Sequence, residues 1–375
     1  MRTPLGWHNF MHNKARAAAS LTGVSFTIVL IFMQLGFYDA AFRSSTMVLD
    51  QLDFDVALLS PQYAYLRSCA SIPRRRLAQA EAVPGVLQAV PLYIGNGNYR
   101  NPTTGTQLEI VILAVDPRRR TFSVPELIEK SPQLRKADCA LMDTKAQESF
   151  GRVAAGTVTE VENRTITIVD TYTYGSGFIS DAVMIVSDST LGHLFPDFTR
   201  DDVSIGLVKL QPGALETAVA ALQAALPRDV KVMRRADFEA QEQSFFMHVK
   251  PLGLMFSGGV LLACVIGGVI LYQIQSSEVM KYIREYATLK AIGYTNAFLA
   301  RVILQQAVCY AVFGFVPAAV AAYGLYALTR LRTNLPLFMT GQRLVFVLVL
   351  AVALCSVSGL LVSRKVRRAD PAELY

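Results

Sequence analysis

The sequence predicts a membrane protein: four transmembrane α-helices, with a large α+β domain of two lobes placed between helices 1 and 2. Three observations carry this. Charged residues make up 17% of the 375-residue chain and hydrophobic ones 52%, where a typical soluble protein is about 25% charged. Four stretches hold no Asp, Glu, Lys or Arg: 22 residues from Ala17 to Tyr38, 27 from Pro251 to Ser277, 28 from Val302 to Thr329 and 20 from Leu344 to Ser363. Each reaches the roughly 20 residues that a helix needs to cross about 30 Å of hydrocarbon. Between the first two stretches lies a charged region, Arg43 to Lys250, long enough for one or two globular units. The same composition excludes a disordered chain, a small disulfide scaffold and a nucleic-acid-binding module.

Charge sets the orientation. The net +7 divides unevenly: Arg43 to Lys250 carries 22 basic and 24 acidic residues, and the remainder 14 basic against 5 acidic. The basic excess therefore flanks the bilayer. Segment 1–16 has Arg2, Lys14 and Arg16; loop 278–301 has Lys281, Arg284, Lys290 and Arg301; tail 364–375 has Arg364, Lys365, Arg367 and Arg368. Positive flanks stay in the cytoplasm, so both termini are expected there and 43–250 outside. Loop 330–343, with Arg330, Arg332 and Arg343, opposes this but is outnumbered.

Taken in order, segment 1–16 alternates Trp7, Phe10 and Met11 with Asn9, His12 and Lys14; an interfacial helix and a frayed terminus both remain open. Residues 17–42 form the first span, a retained anchor, because the apolar stretch exceeds a signal core and Asp39 to Phe42 is a poor cleavage site. In the outward domain, strands are expected at Asp55–Ser60, Leu108–Val115, Thr165–Val169, Ala182–Val186 and Val203–Leu210, short β-branched runs bounded by breakers. Helices are expected at Pro73–Ala82, Ala214–Leu226 and from Ala236 to the membrane. The middle, about 118–200, reads as a lobe inserted into a frame made from both ends. Spans follow at 251–277, 302–329 and 344–363, with a short outward loop at 330–343. Small residues recur every four positions within the spans: Ala19, Gly23, Thr27; Gly259, Ala263, Gly267; and Ala351, Cys355, Gly359. Such ladders let helices approach closely, within one subunit or between two.

No catalytic or metal site is expected. The sequence has no GxxxxGK[ST] phosphate loop, no HExxH and no CxxC, and its histidines are His8, His12, His193 and His248. Gly175-Ser176-Gly177 lacks the GxSxG frame and reads as a flexible turn. Cys69 and Cys139 lie in the outward domain, where a disulfide and two free thiols both remain open. Arginine clusters at Arg74–Arg76 and Arg118–Arg120 suit either an anionic partner or a solvated face. The spans hold no ionisable residue to couple an ion gradient, so energy is expected from elsewhere. The loop after the second span supplies a route. From Glu278 to Gly293, Val279, Tyr282, Ile283, Tyr286, Leu289 and Ile292 share one helical face, opposite Lys281, Arg284 and Glu285. Gly293 is placed to end this helix and Thr295 or Asn296 to cap the next.

Arg284 to Tyr294 (REYATLKAIGY) and Arg368 to Tyr375 (RADPAELY) resemble the FtsX-like permeases of MacB-type ABC transporters. Phe32 to Phe37 (FMQLGF), Leu59 to Gln62 (LSPQ), Pro91-Leu92-Tyr93 and Lys231-Val232 resemble the DevC branch, the permease of the DevBCA-type exporter. The resemblance implies a homodimer in a bacterial inner membrane with a MacB-like periplasmic domain. It implies a separate DevA-like ATPase subunit that binds ATP and Mg, a DevB-like membrane-fusion adaptor and a TolC-like outer-membrane duct; this chain itself holds no cofactor. By the resemblance, the segment that couples to the ATPase is Glu285, Tyr286, Ala287, Thr288, Leu289, Lys290, Ala291, Ile292 and Gly293. Gly23, Gly259, Ala263, Gly267, Cys355 and Gly359 are the candidates for helix packing or the dimer face. The expected function is relay of ATP-driven motion to the periplasmic domain, driving export of a glycolipid or another amphiphile. Two alternatives share the architecture: a regulatory FtsX-like protein that activates a periplasmic hydrolase or sensor, and a LolC/E-like permease that extracts lipoproteins.

Overall fold

The computed structural model describes residues 14–146, 148–151, 153–173, 182–250 and 252–368. The amphipathic pattern of Trp7, Phe10 and Met11, the residues His8 and His12, the turn Gly175-Ser176-Gly177 and the tail beyond Arg368 lie outside the described residues. The chain divides into a helical unit, which includes Gly253–Leu331, and a sheet unit of Ala40–Leu252 with Arg332–Pro336.

The sheet unit opens with the end of α1 (Lys14–Ser44) and the single turn α2 (Met47–Asp50). There follow β1 (Val56–Leu59), β2 (Ile72–Pro73), α3 (Arg75–Glu81), β3 (Val86–Arg100), β4 (Gln107–Val115), α4 (Pro125–Lys130), β5 (Cys139–Asp143), β6 (Val158–Val161), β7 (Arg164–Tyr172) and β8 (Val183–Ser187). The unit is completed by α5 (Asp188–Leu194), β9 (Asp202–Val203), β10 (Ile205–Leu210), α6 (Leu215–Ala225), β11 (Lys231–Arg234) and α7 (Arg235–Ser244). Among the described residues nine strands form one sheet in the order β11-β1-β10-β3-β4-β8-β5-β7-β6, and β6 also pairs with β3 through Tyr99 and Val161. Strands β3 to β8 thus close a six-stranded ring, to whose β3 side the frame strands β10, β1 and β11 are added. The expected two lobes are two parts of one continuous sheet, because β3 is long enough to serve both: its first half pairs with β10 and its second with β4 and β6. Alternate residues of β4 enter opposite cores, Ile110, Ile112 and Ala114 on one face and Val111, Leu113 and Val115 on the other.

Strand β3 escaped the sequence reading because Pro91, Gly95 and Gly97 punctuate it. The glycines are there for space: a Cβ on Gly95 would meet the Phe195 ring at 3.2 Å, and one on Gly97 would meet Ile112 at 3.0 Å. The helix expected from Ala236 into the membrane is instead α7, a π-turn at Phe245–Val249, and a separate helix that begins at Leu252.

The helical unit contains most of α1, α8 (Leu252–Lys281), α9 (Ile283–Ala291), α10 (Asn296–Thr333) and α11 (Gly341–Arg368). Among the described residues, four helices, α1, α8, α10 and α11, are long and apolar enough to cross a membrane. Helix α10 exceeds its charge-free stretch at both ends, so Arg301, Arg330 and Arg332 are helical rather than in loops. These four helices share a core of Val24, Ile28, Phe32, Leu271, Ala311, Val347 and Cys355.

Candidate functional site

The connector between α8 and α10 is where chemistry and position converge. Helix α8 runs on to Lys281, the backbone turns at Tyr282, and α9 starts at Ile283. One helix was expected from Glu278 to Gly293; there are two, with Glu278 to Lys281 forming the last turn of α8. The far end is closed by two hydrogen bonds, Gly293 N–H to Lys290 O (3.1 Å) and Tyr294 N–H to Leu289 O (3.1 Å). This Schellman arrangement needs the left-handed backbone that Gly293 adopts at φ 102°. Thr295 then caps α10, its Oγ1 accepting from Phe298 N–H at 3.3 Å.

Tyr286 and Ala287 are buried, and Leu289 is half-buried. Tyr286 sits in an apolar cluster with Val279 of α8, Leu299, Val302 and Ile303 of α10, and Val362 of α11; Tyr282, Ile283, Leu289 and Phe298 pack against it. Thr288 and Lys290 are half-buried, while Glu285, Ala291, Ile292 and Gly293 face solvent. Ile292, counted with the buried face in the sequence, is 71% exposed. The helix ends at Ala291, so the turn at Gly293 carries Ile292 and Tyr294 outward together. The connector is therefore a short helix whose inner face packs on three of the long apolar helices and whose tip offers an exposed apolar and aromatic pair.

The small-residue candidates fall at helix contacts inside the chain. Added Cβ atoms would meet Ile274 from Gly23, Gln34 from Gly259, Thr27 from Gly267, and Gln275 and Ala307 from Gly359. Ala263 and Cys355 are buried in the same core. Polar bonds reinforce the fit: Ser25 Oγ donates to Gly314 O (2.9 Å), Gln275 Nε2 to Cys355 O (3.1 Å) and Ser358 Oγ to Gly268 O (3.3 Å). Gly36 and Gly314, which the ladders did not flag, are as tightly placed, against Tyr326 and Val24.

In the sheet unit, Cys69 and Cys139 are free thiols. The arginine clusters are partly absorbed by structure: Arg76 pairs with Asp229 (2.7 Å), Arg119 with Glu81 and Arg120 with Asp53 (3.2 Å). Among the described residues, no three or more His, Cys, Asp or Glu are grouped to hold a metal. One buried acid was not foreseen. Glu242 of α7 accepts from Tyr63 Oη (2.8 Å) and Leu66 N–H (3.3 Å), and burial pushes its carboxyl up to about 7 despite those bonds. Beside it, Tyr65 stacks on Phe245 of the π-turn at 4.5 Å.

Residues 257–371 match the model of the FtsX-like permease C-terminal family, a stretch that contains α9 and α10 whole. No curated protein sequence matches the chain. Among solved structures, the extracellular domain of the noncanonic ABC-type transporter YknZ from Gram-positive bacteria is similar over 48% of this chain and 99% of that domain, at 12% identity and a TM-score of 0.35. The periplasmic region of MacB from Actinobacillus actinomycetemcomitans is similar over 52% of this chain and 94% of that region, at 9% identity and a TM-score of 0.36.

Proposed function

We propose that the chain is the permease subunit of an ABC exporter of the MacB kind, and that it relays force rather than generating it. The observation that carries this reading is the seat of α9: Tyr286 and Leu289 are packed among the ends of α8, α10 and α11, so displacement of α9 displaces those ends. Close-packed interiors transmit such shifts because they do not compress. In this reading a separate ATPase subunit binds ATP and Mg, docks at Ile292 and Tyr294, and pushes the lever. The lever end is cytoplasmic, the sheet unit is periplasmic, and the membrane is the inner membrane of a bacterium. Two copies of the chain work together, a fusion adaptor meets the sheet unit, and the route continues through a TolC-like duct, in the manner of the DevC branch. An amphiphile taken from the outer leaflet or the periplasm is the fitting cargo, since the spans offer no charged path for a solute.

The test is reconstitution of the full chain in proteoliposomes, alone and with its ATPase. Hydrolysis should appear only when both are present, and Ile292→Asp should prevent the ATPase from co-purifying. ATP hydrolysis by this chain unaided would overturn the reading.

A further inference from the structure

At the end of the bundle remote from α9, the last turns of the apolar part of α1 and the first turns of α11 enclose a cleft of about 730 Å³. Val349 in its lining and Val362 in the cluster with Tyr286 lie on the same helix, about 20 Å apart at 1.5 Å per residue. The cleft has two kinds of wall. Leu35, Val345, Phe346 and Val349 line its apolar part, and the last three are 63%, 53% and 62% exposed, so this part is continuous with the lipid-facing surface. Tyr38, Asp39, Thr340, Gln342 and Arg343 line the other.

The polar wall is built around an ion pair. Arg343 Nη2 lies 2.8 Å from Asp39 Oδ2, and the arginine side chain is only 9% exposed. Its Nη1 donates to Phe338 O at 2.8 Å and to Tyr326 Oη at 3.4 Å, while Tyr326 in turn donates to Phe32 O. The guanidinium is thereby fixed in place beside an apolar, lipid-open slot. Charge placed at the edge of hydrocarbon is costly unless it is paired, and a fixed pair presents one positive and one negative group at set positions. A headgroup of either single sign meets attraction from one member of the pair and repulsion from the other. A headgroup that itself carries both signs meets attraction from both.

We infer that this cleft binds a zwitterionic amphiphile from the outer leaflet, its chain along Leu35, Val345, Phe346 and Val349, its phosphate toward Arg343 and its ammonium toward Asp39. Calling that amphiphile a cargo, and its leaflet the outer one, rests on the export reading; the binding does not, and its test contains no ATPase, so the two fail separately.

The experiment uses the full chain in detergent micelles, with Phe346→Trp in a Trp7→Phe background and three bromine-labelled single-chain probes: lysophosphatidylethanolamine, lysophosphatidylglycerol and monoacylglycerol. Partition into the micelle quenches the indole alike for all three. Binding in the cleft makes the zwitterionic probe quench at about tenfold lower concentration, the discrimination that one charge-assisted contact supplies. Asp39→Asn and Arg343→Gln should each erase that preference. Val349→Phe fills the slot without touching the ion pair and should erase it too, which keeps the test valid if a charge variant does not fold. Equal quenching by all three probes in the parent, or a preference that survives Val349→Phe, overturns the inference.

Discussion

The sheet unit and the helical bundle differ in what sets their tightest contacts. In the sheet unit large side chains do the filling: Phe54, Tyr93, Tyr99, Phe150, Tyr172 and Phe238 are fully buried, and ion pairs such as Arg100–Glu160 sit at the rim. In the bundle Ile28, Ile31 and Phe32 are buried too, but the tightest helix contacts fall at Gly23, Gly259, Gly267, Gly314 and Gly359, assisted by hydroxyl and amide bonds to facing backbones. The difference follows from the solvent. Expulsion of water drives the first unit together. Lipid tails are as apolar as the helices they surround, so in the second unit fit and polar contacts decide.

Changes of opposite sign should therefore break the two regions. Removing volume is the way to damage the sheet unit: Met184→Ala, at a fully buried site of β8, should cost about 2–5 kcal/mol in chemical denaturation of the detergent-solubilised chain. The buried acid gives the next largest effect. Because the folded state holds the Glu242 carboxyl near 7 against an ordinary 4.5, folding binds its proton more tightly. Stability from this group is complete below about pH 4.5, declines between pH 4.5 and 7, and is flat above. The loss is on the order of 3 kcal/mol at 1.36 kcal/mol per pKa unit, and Glu242→Gln should flatten the slope across that window. Adding volume is the way to damage the bundle. Gly267→Ala places a methyl against Thr27, at about 1–3 kcal/mol, whereas Gly258→Ala, with nothing within 4 Å, should leave the yield of folded membrane protein unchanged. The smallest effect belongs to the rim. Glu160→Gln unpairs Arg100 where both side chains are about half exposed, and should shift stability by less than about 1 kcal/mol. A large effect there would mean that ion pairs, not the apolar core, hold the sheet.

Legibility followed the same division. The spans were plain in the sequence because lipid excludes charge, and charge is visible residue by residue. The small residues of the bundle were visible as contact points, yet nothing in their spacing said that Gly23 faces Ile274 or that Gly359 faces Gln275. In the sheet unit the β-branched runs marked β1, β4, β7, β8 and β10. The longest strand, β3, was hidden by glycines that serve packing by Phe195 rather than a turn. At the connector, the amphipathic pattern located α9, but the turn at Tyr282 carries no breaker and was silent. The Asp39–Arg343 pair and the Tyr63–Glu242 contact join residues far apart in sequence, and only the fold brings each together.

A relay requires that α9 stay seated while it moves, and Leu289 is the half-buried contact on which that can be tested without altering the exposed Ile292 and Tyr294. The direct measurement is export per ATP hydrolysed in vesicles that contain the ATPase and either the parent chain or Leu289→Asp. A seated lever predicts that the ratio falls by about tenfold or more, roughly 1.4 kcal/mol of lost coupling or greater, with membrane insertion and ATPase binding unchanged. An undiminished ratio would contradict a relay through α9.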